Sequence, residues 1–86
     1  MTLDASRIRF DRYAKRRMKW RGISEDEVYL ALQEPERIEK SIRGRVNVYK
    51  LIGRRYIKVT YKELLGETLV ISAVDKGKGE GHEDRI

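Results

Sequence analysis

Residues 21–27, Arg-Gly-Ile-Ser-Glu-Asp-Glu, constrain the fold of this chain more than any other stretch. Ser24 with Glu27 three positions on is a capping box: the hydroxyl accepts from the Glu27 amide and the carboxylate reaches back. Ile23 and Val28 stand where a hydrophobic staple needs apolar residues. Three acids in the first turn suit the positive end of a helix dipole. Gly22 is placed to end a preceding helix in the left-handed conformation. The stretch therefore reads as a tight turn between two short helices.

The first helix is expected over Arg12–Arg21, capped by Asp11. Phe10, Ala14 and Met18, together with Tyr13, Arg17 and Trp20, recur at three- and four-residue spacings and predict one packed side. Arg12, Lys15, Arg16 and Lys19 share the opposite side. The second helix buries Val28, Ala31 and Leu32, and Pro35 stops it near Glu34.

Beyond Pro35 the period changes to two. Residues 37–42 read as a weak strand, and Arg43-Gly44 as a turn. Residues 46–52 and 55–62 are stronger strands, joined by a two-residue hairpin at Gly53-Arg54. That hairpin sets Val48 against Val59 and Val46 against Tyr61 on an apolar side. The other side pairs Arg45 with Lys62, Asn47 with Thr60 and Tyr49 with Lys58. Residues 64–67 read as a loop. Residues 68–74 are almost wholly apolar, as in an interior strand covered on both faces. Residues 7–10 alternate basic and apolar, as a short edge strand does.

At 86 residues the chain fits one small domain, expected over 1–76, with a flexible Gly- and charge-rich tail over 77–86. It has no cysteine, which excludes disulfides, thiolate zinc sites and cysteine nucleophiles. A single histidine, His82, rules out a multi-histidine metal site. No metal or cofactor is expected. With no long apolar run and no signal-peptide pattern, a soluble cytoplasmic protein without membrane contact is expected.

The net charge of +6 favours an anionic partner. It is unevenly spread. Residues 7–21 carry eight Lys/Arg against Asp11, residues 22–36 carry five acids and no base, and residues 37–62 carry nine bases against Glu39. The acidic second helix argues against a helix-turn-helix DNA reader, whose recognition helix must enter a groove lined by phosphates. The sheet offers more. Arg43, Arg45, Asn47, Tyr49, Tyr56, Lys58, Thr60 and Lys62 combine cations with aromatic rings, the mixture with which proteins hold RNA phosphates and stack on bases. An ordinary solvated sheet face has much the same composition.

Cleaving RNA without metal requires an activated 2′-hydroxyl, a stabilised phosphate and a protonated leaving oxygen. Arg17, Arg21, Lys58 and Tyr56 are the candidate catalytic residues, and Arg43, Arg45, Tyr49 and Lys62 the candidate RNA contacts. Arg17 and Arg21 lie one helical turn apart on the side expected to face the sheet. They are either structural cations, bound to an acid or to strand carbonyls, or an anion site in the cleft between helix and sheet. No spacing singles out a catalytic pair.

Residues 13–24 read Tyr-Ala-x-x-Arg-Met-x-x-Arg-Gly-Ile-Ser. This resembles the H-A-x-x-R-M-x-x-R-G-I-S motif of a family of small prokaryotic domains, in which an acidic helix, Asn-Pro and a run of strands follow. Glu34-Pro35 stands in the Asn-Pro place. Arg43-Gly44-Arg45 looks like the family's R-G-R turn, and residues 70–74 resemble its last strand. The family is similar to the RelE/ParE-like toxin superfamily, and the resemblance covers most of residues 8–74. It implies an α+β fold with two N-terminal helices packed on one face of an antiparallel sheet of about four strands. It further implies the toxin of a toxin–antitoxin pair, often an mRNA endonuclease, with RNA or the ribosome and an acidic antitoxin as partners. Arg17 and Arg21 match the motif. Tyr13 stands where the family has histidine, and Val74 where its last strand closes on an aromatic residue. The alternatives are a non-catalytic module for nucleic acid or an acidic protein, and a small dimerising domain; a homodimer fits each.

Overall fold

A strand comes before the helices. In the computed structural model, which describes residues 5–77, a short 3-10 turn at Ala5–Arg7 leads into β1 (Ile8–Phe10). Then come α1 (Arg12–Arg21), α2 (Glu25–Gln33) and β2 (Arg37–Lys40). A second 3-10 turn, Ile42–Gly44, precedes β3 (Arg45–Ile52), β4 (Arg55–Leu64) and β5 (Glu67–Asp75). The fold is α+β, with one five-stranded sheet in the order β1-β5-β4-β3-β2. Two expectations are corrected. The sheet has five strands rather than about four, and it is mixed, because β1 runs parallel to β5 with Phe10 opposite Val70. The tail expected over 77–86, with His82, lies outside the described residues beyond Gly77.

The helix ends form as their residues dictate. Asp11 Oδ2 accepts from the Tyr13 amide at 3.1 Å and starts α1. Gly22, at φ 68°, ends it. The Gly22 amide donates to Lys19 O and the Ile23 amide to Met18 O at 2.9 Å, the paired bonds of a Schellman motif. The capping box then closes in both directions. The Glu27 amide donates to Ser24 Oγ at 3.1 Å, and the Ser24 amide to Glu27 Oε1 at 2.9 Å. Pro35 follows one residue after the α2 cap, Glu34.

The β3–β4 hairpin has the expected register: Val48 opposite Val59, Val46 opposite Tyr61, Asn47 opposite Thr60 and Tyr49 opposite Lys58. The loop expected over 64–67 is instead a two-residue turn. Leu65 and Gly66 both take positive φ, at 51° and 82°, so Leu64 can pair with Glu67.

α1 packs on β5, and α2 on β3 and β4. Val28, Val48, Ile57, Val59 and Val70 are the largest fully buried side chains between them. Each such burial contributes about 1.5–3 kcal/mol. The packed side of α1 is narrower than expected. Ala14 and Met18 are buried, but Tyr13 and Trp20 are 65% and 77% exposed, and Arg17 is exposed too. Strand β5 is covered on one face only: Thr68, Val70 and Ala73 are buried, while Leu69 and Val74 are half-exposed. Among the described residues the other face of the sheet carries no helix. Among the described residues no helix is long and apolar enough to cross a membrane.

Candidate functional site

Strand alternation decides what stands on the uncovered face. Residues opposite one another share a face, and residues two apart along a strand share it again. Arg45 of β3 is opposite Lys62 of β4, Lys62 is opposite Leu69 of β5, and Leu69 is opposite Arg9 of β1. Three cations therefore form one row across four strands. A second row runs Glu39, Asn47, Thr60 and Ser72, and a third Arg37, Tyr49, Lys58 and Val74. Tyr56, opposite Leu51, stands beyond the third.

Glu39 organises the middle of this face. Its Oε1 accepts from Tyr49 Oη at 2.8 Å and from Asn47 Nδ2 at 3.2 Å. Arg37 Nη2 donates to its Oε2 at 3.1 Å. Thr60 Oγ1 donates to Asn47 Oδ1 at 2.7 Å and extends the network to β4. The Tyr49 hydroxyl, then Asn47, hold the Glu39 carboxyl below its usual range, against a smaller opposing effect of burial; Arg37 and Lys58 add positive charge nearby. Burial, and next the bond to Glu39, push Tyr49 up to about 12. At neutral pH the pair is thus a phenol donating to a carboxylate, and neither partner exchanges protons there.

Tyr49 is only 8% exposed. The Arg37 guanidinium carbon lies 4.8 Å from its ring centroid on the β2 side, and Tyr56 stacks on the β4 side at 5.7 Å with the planes 24° apart. Its ring is a support with both sides occupied. Tyr56, half-exposed at the end of that stack, is the more accessible platform.

Arg45, Lys58, Lys62, Tyr49 and Tyr56 come together as the alternation predicts. Arg43 is exposed in the Ile42–Gly44 turn, with φ 58°, at the edge of the group. Arg17 and Arg21 do not join them. Both are on α1, so the sheet lies between them and Lys58. Arg21 Nη1 donates to the Ala73 carbonyl of β5 at 3.0 Å, and so holds the helix end to the strand. The four catalytic candidates therefore do not form one site. Arg9, Arg37 and Glu39 belong to the face but escaped the sequence reading. Alternation in residues 7–10 and 37–40 would have marked them, had the sheet partners of β1 and β2 been known.

A second cationic surface lies on the helix side. An open groove of about 570 Å³ runs along α1 and the start of α2. Arg12, Lys15, Arg16 and Lys19 line it with Glu25, and Met18 and Ile23 contribute apolar surface. Lys15 Nζ is 3.6 Å from Glu25 Oε2. Among the described residues no group of three His, Asp or Glu side chains is placed to hold a metal ion. Compared with family models, curated protein sequences and solved structures, the chain matches none.

Proposed function

We propose that this chain is a RelE-like, toxin-family protein that binds single-stranded RNA on the uncovered face of its sheet. The observation that carries the reading is the grouping of Arg9, Arg45, Lys62 and Lys58 with the accessible ring of Tyr56 on one face. Cations neutralise phosphates and release counterions, and a half-exposed ring accepts an unstacked base. The R-G-I-S junction between two helices that precede β2–β5 supports the toxin-like assignment.

Binding is better supported than cleavage. A metal-independent ribonuclease needs groups that exchange protons at working pH. Tyr49 at about 12 and Glu39 below its usual range are poor at this, so proton transfer would fall to Lys58 and Tyr56. The second reading is a non-catalytic RNA-binding module. It is favoured by Arg21, which holds a strand carbonyl and stands across the sheet from Lys58.

The experiment is an RNA cleavage assay with purified protein, paired with a growth assay on induction. The toxin reading expects cleavage and arrest, both abolished in Lys58→Ala. Binding without cleavage or arrest leaves the module reading. Failure to bind RNA at moderate salt overturns both.

A further inference from the structure

We propose that the free edge of β2 docks a second copy of this chain, related by a two-fold axis through Ile38. Among the described residues β2 is the last strand of the sheet. The Ser41 amide donates to Arg45 O at 2.8 Å across to β3. Backbone groups alternate in direction along an antiparallel pair. Glu39 and Arg37 therefore also turn their backbone groups toward β3, while Ile38 and Lys40 turn theirs to the open edge. Ile38 stands opposite the buried Val48, on the face the helices cover. The helices pack over β5, β4 and β3, and Ile38 is left 64% exposed. A core-side isoleucine thus lies open beside outward-facing backbone donors and acceptors.

The occupant follows from charge. β2, residues 37–40, reads Arg-Ile-Glu-Lys. An antiparallel second copy centred on Ile38 sets Ile38 against Ile38. It sets Arg37 against the second copy's Glu39 on both sides of the axis. Glu36 takes no part in the ladder, because its amide donates to Tyr49 O at 2.8 Å, toward β3. Shifting the register by one residue loses both Arg37–Glu39 pairs, and in one direction sets Arg37 against Lys40. Shifting it by two sets Arg37 against Arg37, or Glu39 against Glu39. Like charges directly opposite are destabilising, so one register is selected. In it the two Ile38 residues form a hydrogen-bonded pair, because their backbone groups already face the edge.

This docking joins the two uncovered faces into one continuous sheet. It also brings the second copy's Arg37 to Glu39, whose Oε2 is 3.1 Å from its own Arg37. The Glu39 cluster is then completed across the axis, whatever the face binds. A four-residue strand makes a small contact, so the dimer is weak and concentration-dependent.

The chain has no cysteine, so Ile38→Cys supplies a single thiol on the axis. Hydrogen-bonded antiparallel residues have Cα atoms about 5.5 Å apart, inside the disulfide range of roughly 4.4–6.8 Å. Mild oxidation of this variant yields a covalent dimer that reductant reverses. Leu65→Cys, at the fully exposed β4–β5 turn, yields it at least about tenfold more slowly. In sedimentation velocity the wild type gains mass with concentration, and Ile38→Lys stays monomeric. Arg37→Glu and Glu39→Arg each raise the dimer dissociation constant about tenfold, and mixing the two variants restores dimerisation. The two substitutions then sit in different chains, so only the intermolecular register explains rescue. A wild type that remains monomeric, a dimer that survives Ile38→Lys, or a mixture of the two charge variants without rescue overturns the proposal.

Discussion

Arg55 Nη2 donates to both carboxylate oxygens of Glu27, at 2.7 and 2.6 Å, and Arg55 Nη1 donates to Gly22 O at 2.9 Å. One guanidinium on β4 thus fastens the turn between the helices to the sheet. Glu27 also closes the capping box, so the two functions share a carboxylate. Burial works to raise the Glu27 carboxyl, but the Ser24 amide and then Arg55 outweigh it and hold it below its usual value. A depressed carboxyl stabilises the fold above its unfolded value, and that contribution is lost as pH falls through the folded value. Arg55→Ala is expected to cost about 1–2 kcal/mol at neutral pH. The acid limb of its stability–pH curve becomes shallower. Urea unfolding at a series of pH values checks both; an unchanged curve would mean that the pair contributes nothing.

The Tyr49–Glu39 bond can be tested without disturbing the ring stack. Tyr49→Phe removes the hydroxyl that is the main cause of Glu39's low carboxyl. The Glu39 carboxyl is then expected to titrate closer to the ordinary value, as read by carbon-detected NMR. The wild type keeps Glu39's contribution at higher pH and loses it as pH falls through the depressed value. Tyr49, raised to about 12, works at the opposite end: its contribution is present below the ordinary tyrosine value and is lost as pH rises through about 12. Tyr49→Phe removes that alkaline sensitivity. Identical Glu39 titrations in the two proteins would contradict the network.

Arg21 and Arg17 separate structure from binding. Arg21→Ala loses the bond to the Ala73 carbonyl, and about 1 kcal/mol of stability with it. Its RNA affinity is expected to stay within about twofold of wild type, since it lies across the sheet from the cationic rows. Arg17→Ala, on an exposed helix position, alters neither by more than that. Thermal unfolding and RNA titration of the same samples give the answer. A large affinity loss in a fully stable Arg21→Ala would move the site to the helix side.

What the sequence discloses here is local. The capping box at Ser24 and Glu27, the left-handed Gly22 and the Gly53-Arg54 hairpin are each written within a few neighbouring residues, and each forms as expected. The hairpin register carries Arg45, Lys58 and Lys62 to one face. The parallel pairing of β1 with β5 joins residues some sixty positions apart, and no short pattern announces it. That pairing hides Arg9 from a sequence reading. Spacing alone also misjudges α1. It groups Tyr13, Arg17 and Trp20 as a packed side, but α1 rests on β5 through Ala14 and Met18 and turns that group to solvent. Glu39 looks like a stray acid among bases until the sheet sets it between Asn47, Tyr49 and Arg37.

On the proposed function, RNA binds the uncovered sheet face rather than the cationic groove along α1. Two charge-matched double variants decide it: Lys58→Ala with Lys62→Ala on the sheet, and Lys15→Ala with Lys19→Ala in the groove. Each is titrated against a labelled single-stranded RNA over a range of salt. The sheet variant is expected to lose affinity at least about tenfold, and its slope in log salt to fall by about 1.4, two phosphate contacts' worth. The groove variant is expected to stay within about threefold of wild type. The reverse pattern, or equal losses in both, would contradict the assignment of the sheet face as the RNA site.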